Sequence, residues 1–335
     1  MADNNSNKDS KDNKVNNADK VKTAKADSGA SIRVKSAESD GKSSRVKQVK
    51  AGADSGRITL RRILKLLAIS AKMDLVWLLR DTKFAILGVC GDVINNVATV
   101  SGVFLIASRF GGIGGLNTNE VLFMMAYSTM TTGIFILFGS GNNIHISRII
   151  GRGQLEHLFT QPLPLGVQLA TSGFAPFTGG SNLIVGIILM AFAQHRLGLQ
   201  ISAPWVGFLA LNLLTTMVII IARSYLVSSA AFYAPVAAEE IASTAIDETW
   251  FMSTFPLSGM PGFIQIPLLT ILPEGLMAWF PSMCLLGKPP LSMPAYYPML
   301  YALLIALVAS YIFRKGLNHY VRKGSNRYVP YGFRR

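Results

Sequence analysis

Long apolar stretches alternate with short polar ones over most of the chain, from about residue 84 to residue 313. Crossing a bilayer as a helix takes about 20 mainly apolar residues. Six stretches fit this length and are predicted as spans: residues 84–107, 120–140, 167–194, 205–232, 257–280 and 294–313. The pattern therefore predicts an all-α polytopic membrane protein with about six transmembrane helices.

Two of these stretches contain residues that interrupt a helix. Residues 167–194 include Pro176 and a pair of glycines, so we expect them to begin as an interfacial segment and to cross only in their later half. Residues 257–280 are apolar but contain three prolines. Counting both stretches as crossings gives six.

The first 83 residues differ from the rest of the chain. Residues 1–56 are rich in small polar and charged residues and cannot bury enough apolar surface to offset the entropy of ordering, so they are predicted to be disordered. Residues 57–83 have a helical pattern in which basic residues such as Arg61 and Lys65 lie beside leucines and Trp77. This stretch is too charged to span, and we predict an amphipathic helix in the headgroup plane. An ordinary surface helix is disfavoured because no soluble domain follows.

Composition and charge agree with a membrane protein. Hydrophobic residues make up 50% of the chain and charged residues 15%, with a mean hydropathy of +0.37, whereas about 25% charged is usual in soluble proteins. The net charge of +14 lies at the two ends, because residues 84–313 carry six basic and eight acidic residues. A nucleic-acid-binding protein would spread its basic residues over a folded face, so no nucleic-acid partner is expected.

The charged ends also predict the orientation, because basic residues near span ends stay on the cytoplasmic side. Residues 1–83 carry a net charge of +9 and the basic tail, residues 314–335, carries +7. Both termini are therefore predicted to be cytoplasmic, and the N-terminus lacks a secretory signal. The connections fall inside at 141–166 and 233–256, and outside at 108–119, 195–204 and about 273–293.

The segment between the second and third predicted spans is the most informative. Residues 150–164 predict a short amphipathic helix in which Leu155, Leu158 and Phe159 share a face, and Pro162 ends it. A rigid helix held at the cytoplasmic surface by two spans can be gripped by a soluble partner. It would then transmit the movement of that partner into the membrane.

This segment fits the pattern Ile-x-x-Gly-x-Leu-Asp-x-Leu-Leu-x-x-Pro-Leu. The matching residues are Ile150, Gly153, Leu155, Leu158, Pro162 and Leu163, with Glu156 at the Asp position and Phe159 at a Leu position. Two further motifs follow, at Leu272–Pro281 with Leu285–Pro289, and at Gly316–Tyr320 with Gly324 and Arg327. With these motifs the chain resembles the permeases of ABC transporters of the ABC-2 type, in particular a bacterial subgroup, from about residue 60 to residue 328.

The resemblance implies a six-span half-channel in the plasma membrane that pairs with a second permease, identical or paralogous, and with two cytosolic ATPase subunits. Residues 150–164 would be the coupling helix that docks on the ATPase, and export is the expected direction. The sequence contains no Gly-x-x-x-x-Gly-Lys-[Ser/Thr] phosphate loop. ATP and Mg would therefore be bound by the partner ATPase, and this chain is expected to be no enzyme and to hold no cofactor or metal.

A few polar residues fall inside the predicted spans, where charge is costly and usually faces protein or water. Asp92, Asn95 and Asn96 are spaced to lie on one helix face. They would form a wall of the translocation path or dimer seam, or else bond neighbouring helices within the chain. Arg223 is expected to snorkel or to be paired rather than to bind substrate, and Glu274 is expected to cap a re-entrant helix rather than to contact substrate.

Two other classes of function remain open at this stage. A non-transporting membrane scaffold would recruit cytosolic partners through the basic arm and tail, and deleting residues 1–56 would then abolish its function. An ion-coupled carrier would need internal repeats and paired charges at mid-membrane, which the sequence does not display convincingly. Catalysis is disfavoured because the four histidines are scattered, and Cys90 and Cys284 are expected only to pack.

Overall fold

The computed structural model describes residues 60–139, 146–171, 173–177, 179–290 and 293–324. The N-terminal extension, residues 1–56, and the end of the basic tail lie outside the described residues. The described part is helical throughout, with a single isolated bridge between Ile113 and Leu116 in place of strands.

Twelve α-helices occur in the described residues. They are α1 Leu60–Arg80, α2 Thr82–Phe110, α3 Thr118–Gly139, α4 Ile146–Gly151, α5 Gln154–Phe159, α6 Leu165–Thr171, α7 Ser181–Leu197, α8 Ala203–Ser228, α9 Pro235–Met252, α10 Gly262–Thr270, α11 Trp279–Leu285 and α12 Tyr297–Lys323. Two 3₁₀ turns lie at Ser229–Phe232 and Pro273–Leu276.

Four helices, α2, α3, α8 and α12, are long and apolar enough to cross a membrane. The stretch predicted over residues 167–194 divides into α6 and α7, and α7 has 17 residues, about 25 Å at 1.5 Å per residue. The structure thus supplies fewer clear spans by length and composition than the six that the sequence predicts.

The helix α3 is the centre of the bundle and is the most buried of the four. It packs most closely on α7, because glycines at the contact let the two backbones approach. A Cβ atom at Gly133 would lie 2.2 Å from the Leu183 nitrogen, and one at Gly186 would lie 2.6 Å from the Met130 nitrogen. No larger residue fits at these two positions without separating the helices.

The bundle has two ends, which we call the α5 end and the loop end. The α5 end carries α4 and α5, and the loop end carries the turn between α2 and α3, residues 111–117. Residues 233–256, predicted as a connection at one end, instead contain α9, which runs into the bundle from the α5 end. Glu239 near its start pairs with Arg148 of α4, whereas Ser253 just after it contacts Ser128 in the middle of α3. The connection predicted on the cytoplasmic side therefore contains a helix that extends from the α5 end to the level of the middle of α3, and this helix packs mainly on α4, α8 and the 3₁₀ turn Ser229–Phe232.

The chain after α9 continues to the loop end, where Ser258 and Gly259 pack on Gly114. The following helices, α10 and α11, are bent by 72° where they join. Past α11, Lys288 forms an ion pair of 2.5 Å with Glu120 at the start of α3, which is again the loop end. This pair of helices therefore enters and leaves at the same end, so residues 257–280 bend back in place of one straight helix.

Candidate functional sites

The first candidate site is the helical hairpin at the α5 end. Helix α4 ends at Gly151, and α5 begins after Gly153, whose backbone is left-handed with a φ of 69°. Residues with a Cβ rarely adopt this conformation. The glycine of the predicted motif thus allows the sharp turn that places α5 against the bundle.

The inner side of the hairpin is a buried apolar cluster. Leu155 of α5 and Ile150 of α4 are buried there together with Phe232 and Tyr320. The rings of Phe232 and Tyr320 lie 5.9 Å apart, and Gly316 of α12 leaves the space that Phe232 fills, since a Cβ there would lie 2.3 Å from its ring. The hairpin is therefore packed directly on the end of the last long helix.

Polar contacts fix the remaining sides of the hairpin. The amide nitrogen of Gln168 on α6 donates hydrogen bonds to the carbonyls of Leu158, at 3.0 Å, and Leu163, at 2.5 Å. The Arg148 guanidinium donates to the Glu239 carboxylate at 2.8 Å. Gln168 thus holds the loop between α5 and α6, and the Arg148–Glu239 pair joins α4 to α9.

The predicted coupling residues fall into three groups by exposure. Ile150, Gly153 and Leu155 are buried; Glu156, Leu158 and Leu163 are half-buried; Phe159 and Pro162 are exposed. Leu155 and Phe159, predicted to share a face, therefore differ in role. Leu155 packs the hairpin on its own bundle, whereas Phe159 has 39% of its surface exposed.

The second candidate site is a polar cleft of about 170 Å³ between α2, α3 and α9. Asn95 and Asn96 line it from α2, whereas Asp92 is exposed one turn away. The Asn96 amide nitrogen also donates hydrogen bonds to the Asp92 carbonyl, at 2.7 Å, and to the Asn182 side chain of α7. Asn96 thus both lines a cleft and bonds a neighbouring helix, which were alternatives in the sequence analysis.

Sequence reasoning missed most of the other residues of the cleft. Thr99 on α2, Ser128 and Thr132 on α3, and Trp250 on α9 complete much of its wall. The hydroxyls of Ser128 and Thr132 follow the same one-turn spacing as Asn95 and Thr99. Polar residues repeated at this spacing inside apolar helices were the available signal.

A third polar feature is a buried ion pair. The Arg223 guanidinium of α8 lies 2.7 Å from the Glu274 carboxylate, and the side chains are 9% and 2% exposed. Glu274 lies in the 3₁₀ turn at the tip of the α10–α11 pair. Arg223 is therefore paired, which was one of the two roles expected from the sequence. The expected cap at Glu274 is replaced by this ion pair.

The described residues contain no cluster of histidine, cysteine and acidic side chains that could hold a metal ion. The cysteines are free thiols, with Cys284 half-buried and Cys90 exposed on α2 rather than packed inside the protein.

Comparison with known proteins gives one family. The family model described as ABC-2 family transporter protein matches residues 93–324, about two thirds of the chain. No curated protein and no solved structure matches the chain.

Proposed function

The chain belongs to the ABC-2 family of transporter proteins, and from this premise we propose that it is an exporter permease driven through α5 by a separate ATPase. A member of this family is a membrane-embedded permease component of an ABC transporter and is not itself the catalytic part. We propose three further properties: export as the direction of transport, contact with the ATPase, and pairing with a second permease.

The observation that carries the proposal is the packing of the α4–α5 hairpin. Its exposed side offers Phe159 and Pro162 to a partner, while its buried side rests through Leu155 on Phe232 and the end of α12. Because protein interiors are close-packed and transmit displacement, a push on α5 moves the end of α12 and the 3₁₀ turn after α8. Both helices are candidate spans.

We further propose six crossings, made by α2, α3, α7, α8, α9 with residues 253–258, and α12. The α10–α11 pair is then a re-entrant loop on the outer side. This count keeps both termini on the cytoplasmic side of the plasma membrane, which agrees with the basic residues Arg322 and Lys323 in the last turn of α12. The total of six is retained from the sequence, but α9 replaces residues 257–280.

Partners follow from the exposed surfaces. Helix α2 is mostly exposed and apolar, with Phe84, Leu87 and Leu105 among the exposed side chains. Lipid and a second permease, identical or paralogous, would cover it. ATP and Mg would be bound by the ATPase subunits, which would contact α5.

The test replaces an exposed apolar residue of α5 by a charge. Phe159→Glu should reduce ATPase co-purification and ATP-driven transport at least about tenfold, because a carboxylate would be buried without a partner at the interface. Val321→Glu is the matched control, since Val321 is 68% exposed at the same end of the bundle but outside the hairpin. Both variants should insert and unfold like the unaltered protein.

Equal ATPase binding and transport in the two variants would contradict the docking role of α5. Deletion of residues 1–56 separates transport from scaffolding, because a transporter keeps its activity without this arm and a scaffold loses its function. An ion-coupled carrier would continue to transport when ATP is removed and an ion gradient is kept.

A further inference from the structure

We infer that the polar cleft between α2, α3 and α9 binds organic cations that carry N–H groups, such as protonated amines. The inference deepens the proposed transport function and rests on it. Three independent features of the cleft support this class of ligand: its hydrogen-bonding state, the charges around it, and its aromatic wall.

The hydroxyl groups of the cleft have already used their hydrogen atoms. Thr99, Thr132 and Thr254 each donate to a backbone carbonyl three or four residues earlier, at 2.9, 3.0 and 2.7 Å. Thr129 does the same with the Met125 carbonyl at 2.9 Å. A hydroxyl whose hydrogen is engaged can still accept bonds through its oxygen. These groups therefore offer acceptors to a ligand, which must bring the donors.

The amide of Asn96 is committed in the same way. Its nitrogen donates to the Asp92 carbonyl and to the Asn182 side chain, which uses both of its hydrogens. Only its oxygen can bond further. A carboxylate or phosphate ligand, which brings acceptors alone, would have to take its donors from the Asn95 amide and the Trp250 indole, and it would leave the hydroxyl oxygens unpaired.

The charged residues of α2 and α9 that lie nearest the cleft in sequence are acidic. Asp92 lies one turn before Asn95 and Asn96 on α2, and Asp247 lies one turn before Trp250 on α9, so each is on the side of the α5 end. Helices α3 and α9 contain no basic residue, and the basic residues of α2, Lys83 and Arg109, lie near its two ends. Both aspartates are exposed. Next to the cleft, these two aspartates attract a cation and repel an anion.

The third feature is Trp250, whose side chain lines the cleft and packs at 5.0 Å on the Phe135 ring. The face of a tryptophan ring attracts a cation placed over it, and more strongly where water is excluded. A protonated amine satisfies all three features, since it is positively charged and carries N–H donors. A neutral polyol satisfies only the hydrogen-bonding feature.

The experiment uses the full chain with its ATPase, reconstituted in inside-out vesicles. An equimolar mixture of benzylamine-type amines, amides of the same size and carboxylates of the same size is added, and ATP-dependent accumulation is measured by mass spectrometry. We expect the amines to accumulate at least about tenfold more than the amides and carboxylates. Preferential accumulation of the amides or carboxylates would overturn the inference. ATP hydrolysis without accumulation of any compound would count against the proposed transport function instead.

Variants then locate the site. Asp92→Asn and Asp247→Asn should each raise the half-saturating amine concentration roughly tenfold, because each removes an attractive charge. Glu248→Gln is the matched control, since Glu248 is also exposed on α9 but lies on another helix face. Thr132→Val should raise that concentration roughly two- to tenfold. Thr215→Val is its control, because Thr215 bonds the Leu211 carbonyl on α8 away from the cleft. Equal effects in variants and controls would refute the site.

Discussion

Replacing Leu155 by alanine tests whether the α4–α5 hairpin is fixed to the bundle as described. The Leu155 side chain is fully buried in the cluster that contains Ile150 and Phe232. Removing three of its carbon atoms leaves a cavity that close-packed neighbours fill only in part. The hairpin should therefore detach from the bundle more often, while the long helices stay folded.

The expected magnitude follows from comparable core truncations, which cost about 2–5 kcal/mol. If this cost falls on the local opening of the hairpin, the equilibrium between closed and open forms shifts by roughly 30-fold to several thousand-fold. Leu158 is only half-buried. Its replacement by alanine should have a smaller effect, because part of its surface is already in contact with water.

Amide hydrogen exchange measured by mass spectrometry on residues 150–164 reports this opening directly. The exchange rate of these residues in Leu155→Ala should rise by roughly 30-fold to several thousand-fold, up to the rate of an unstructured peptide. Exchange in α3 and α8 should be unchanged. Phe159→Ala is the control, because its side chain is exposed and contributes little to packing. A larger increase in Phe159→Ala than in Leu155→Ala would show that the hairpin is oriented the other way round.

Three other substitutions test the remaining structure. Gly186→Leu should strongly lower the thermal unfolding temperature in detergent, because a Cβ would lie 2.6 Å from the α3 backbone, whereas Gly207→Leu, with nothing within 4 Å, should leave it unchanged. Arg223→Ala should lower the free energy of unfolding by about 3–5 kcal/mol in chemical unfolding. The double variant Arg223→Met with Glu274→Leu should lower it by less, because it leaves no unpaired charge. An equal loss of unfolding free energy in the single and double variants would contradict the buried pair. Gly153→Ala should cost about 1–2 kcal/mol by hydrogen exchange, since its φ is positive, and unchanged exchange would contradict that conformation.

The fold class was predictable because a membrane span leaves a direct trace in the sequence. Apolar stretches of about 20 residues gave α2, α3, α8 and α12, and the prolines of residues 257–280 indicated broken helices. Helix α9 was missed because its four acidic residues lower its hydropathy. Such a helix can still pack on its neighbours through the side that carries its buried residues, which in α9 include Ala238 and Ala242.

The candidate sites were predictable only in part. The motif around residues 150–164 identified the hairpin, but it could not tell Leu155, which is buried, from Phe159, which is exposed. In a short helix both residues look alike, since each is apolar and lies one turn from the other. Which face of the helix meets the bundle depends on Phe232 and Tyr320, which come from distant parts of the chain.

By itself the sequence determined that this protein is a helical membrane permease of the ABC-2 family with charged flanks. These properties depend on composition, local periodicity and short motifs, which are set by neighbouring residues. Only the tertiary structure decided the course of α9, the return of α10 and α11 to the loop end, the ion pair of Arg223 with Glu274, and the shape of the polar cleft. Each of these joins residues that are far apart in the chain, so its energy comes from contacts that no local pattern specifies.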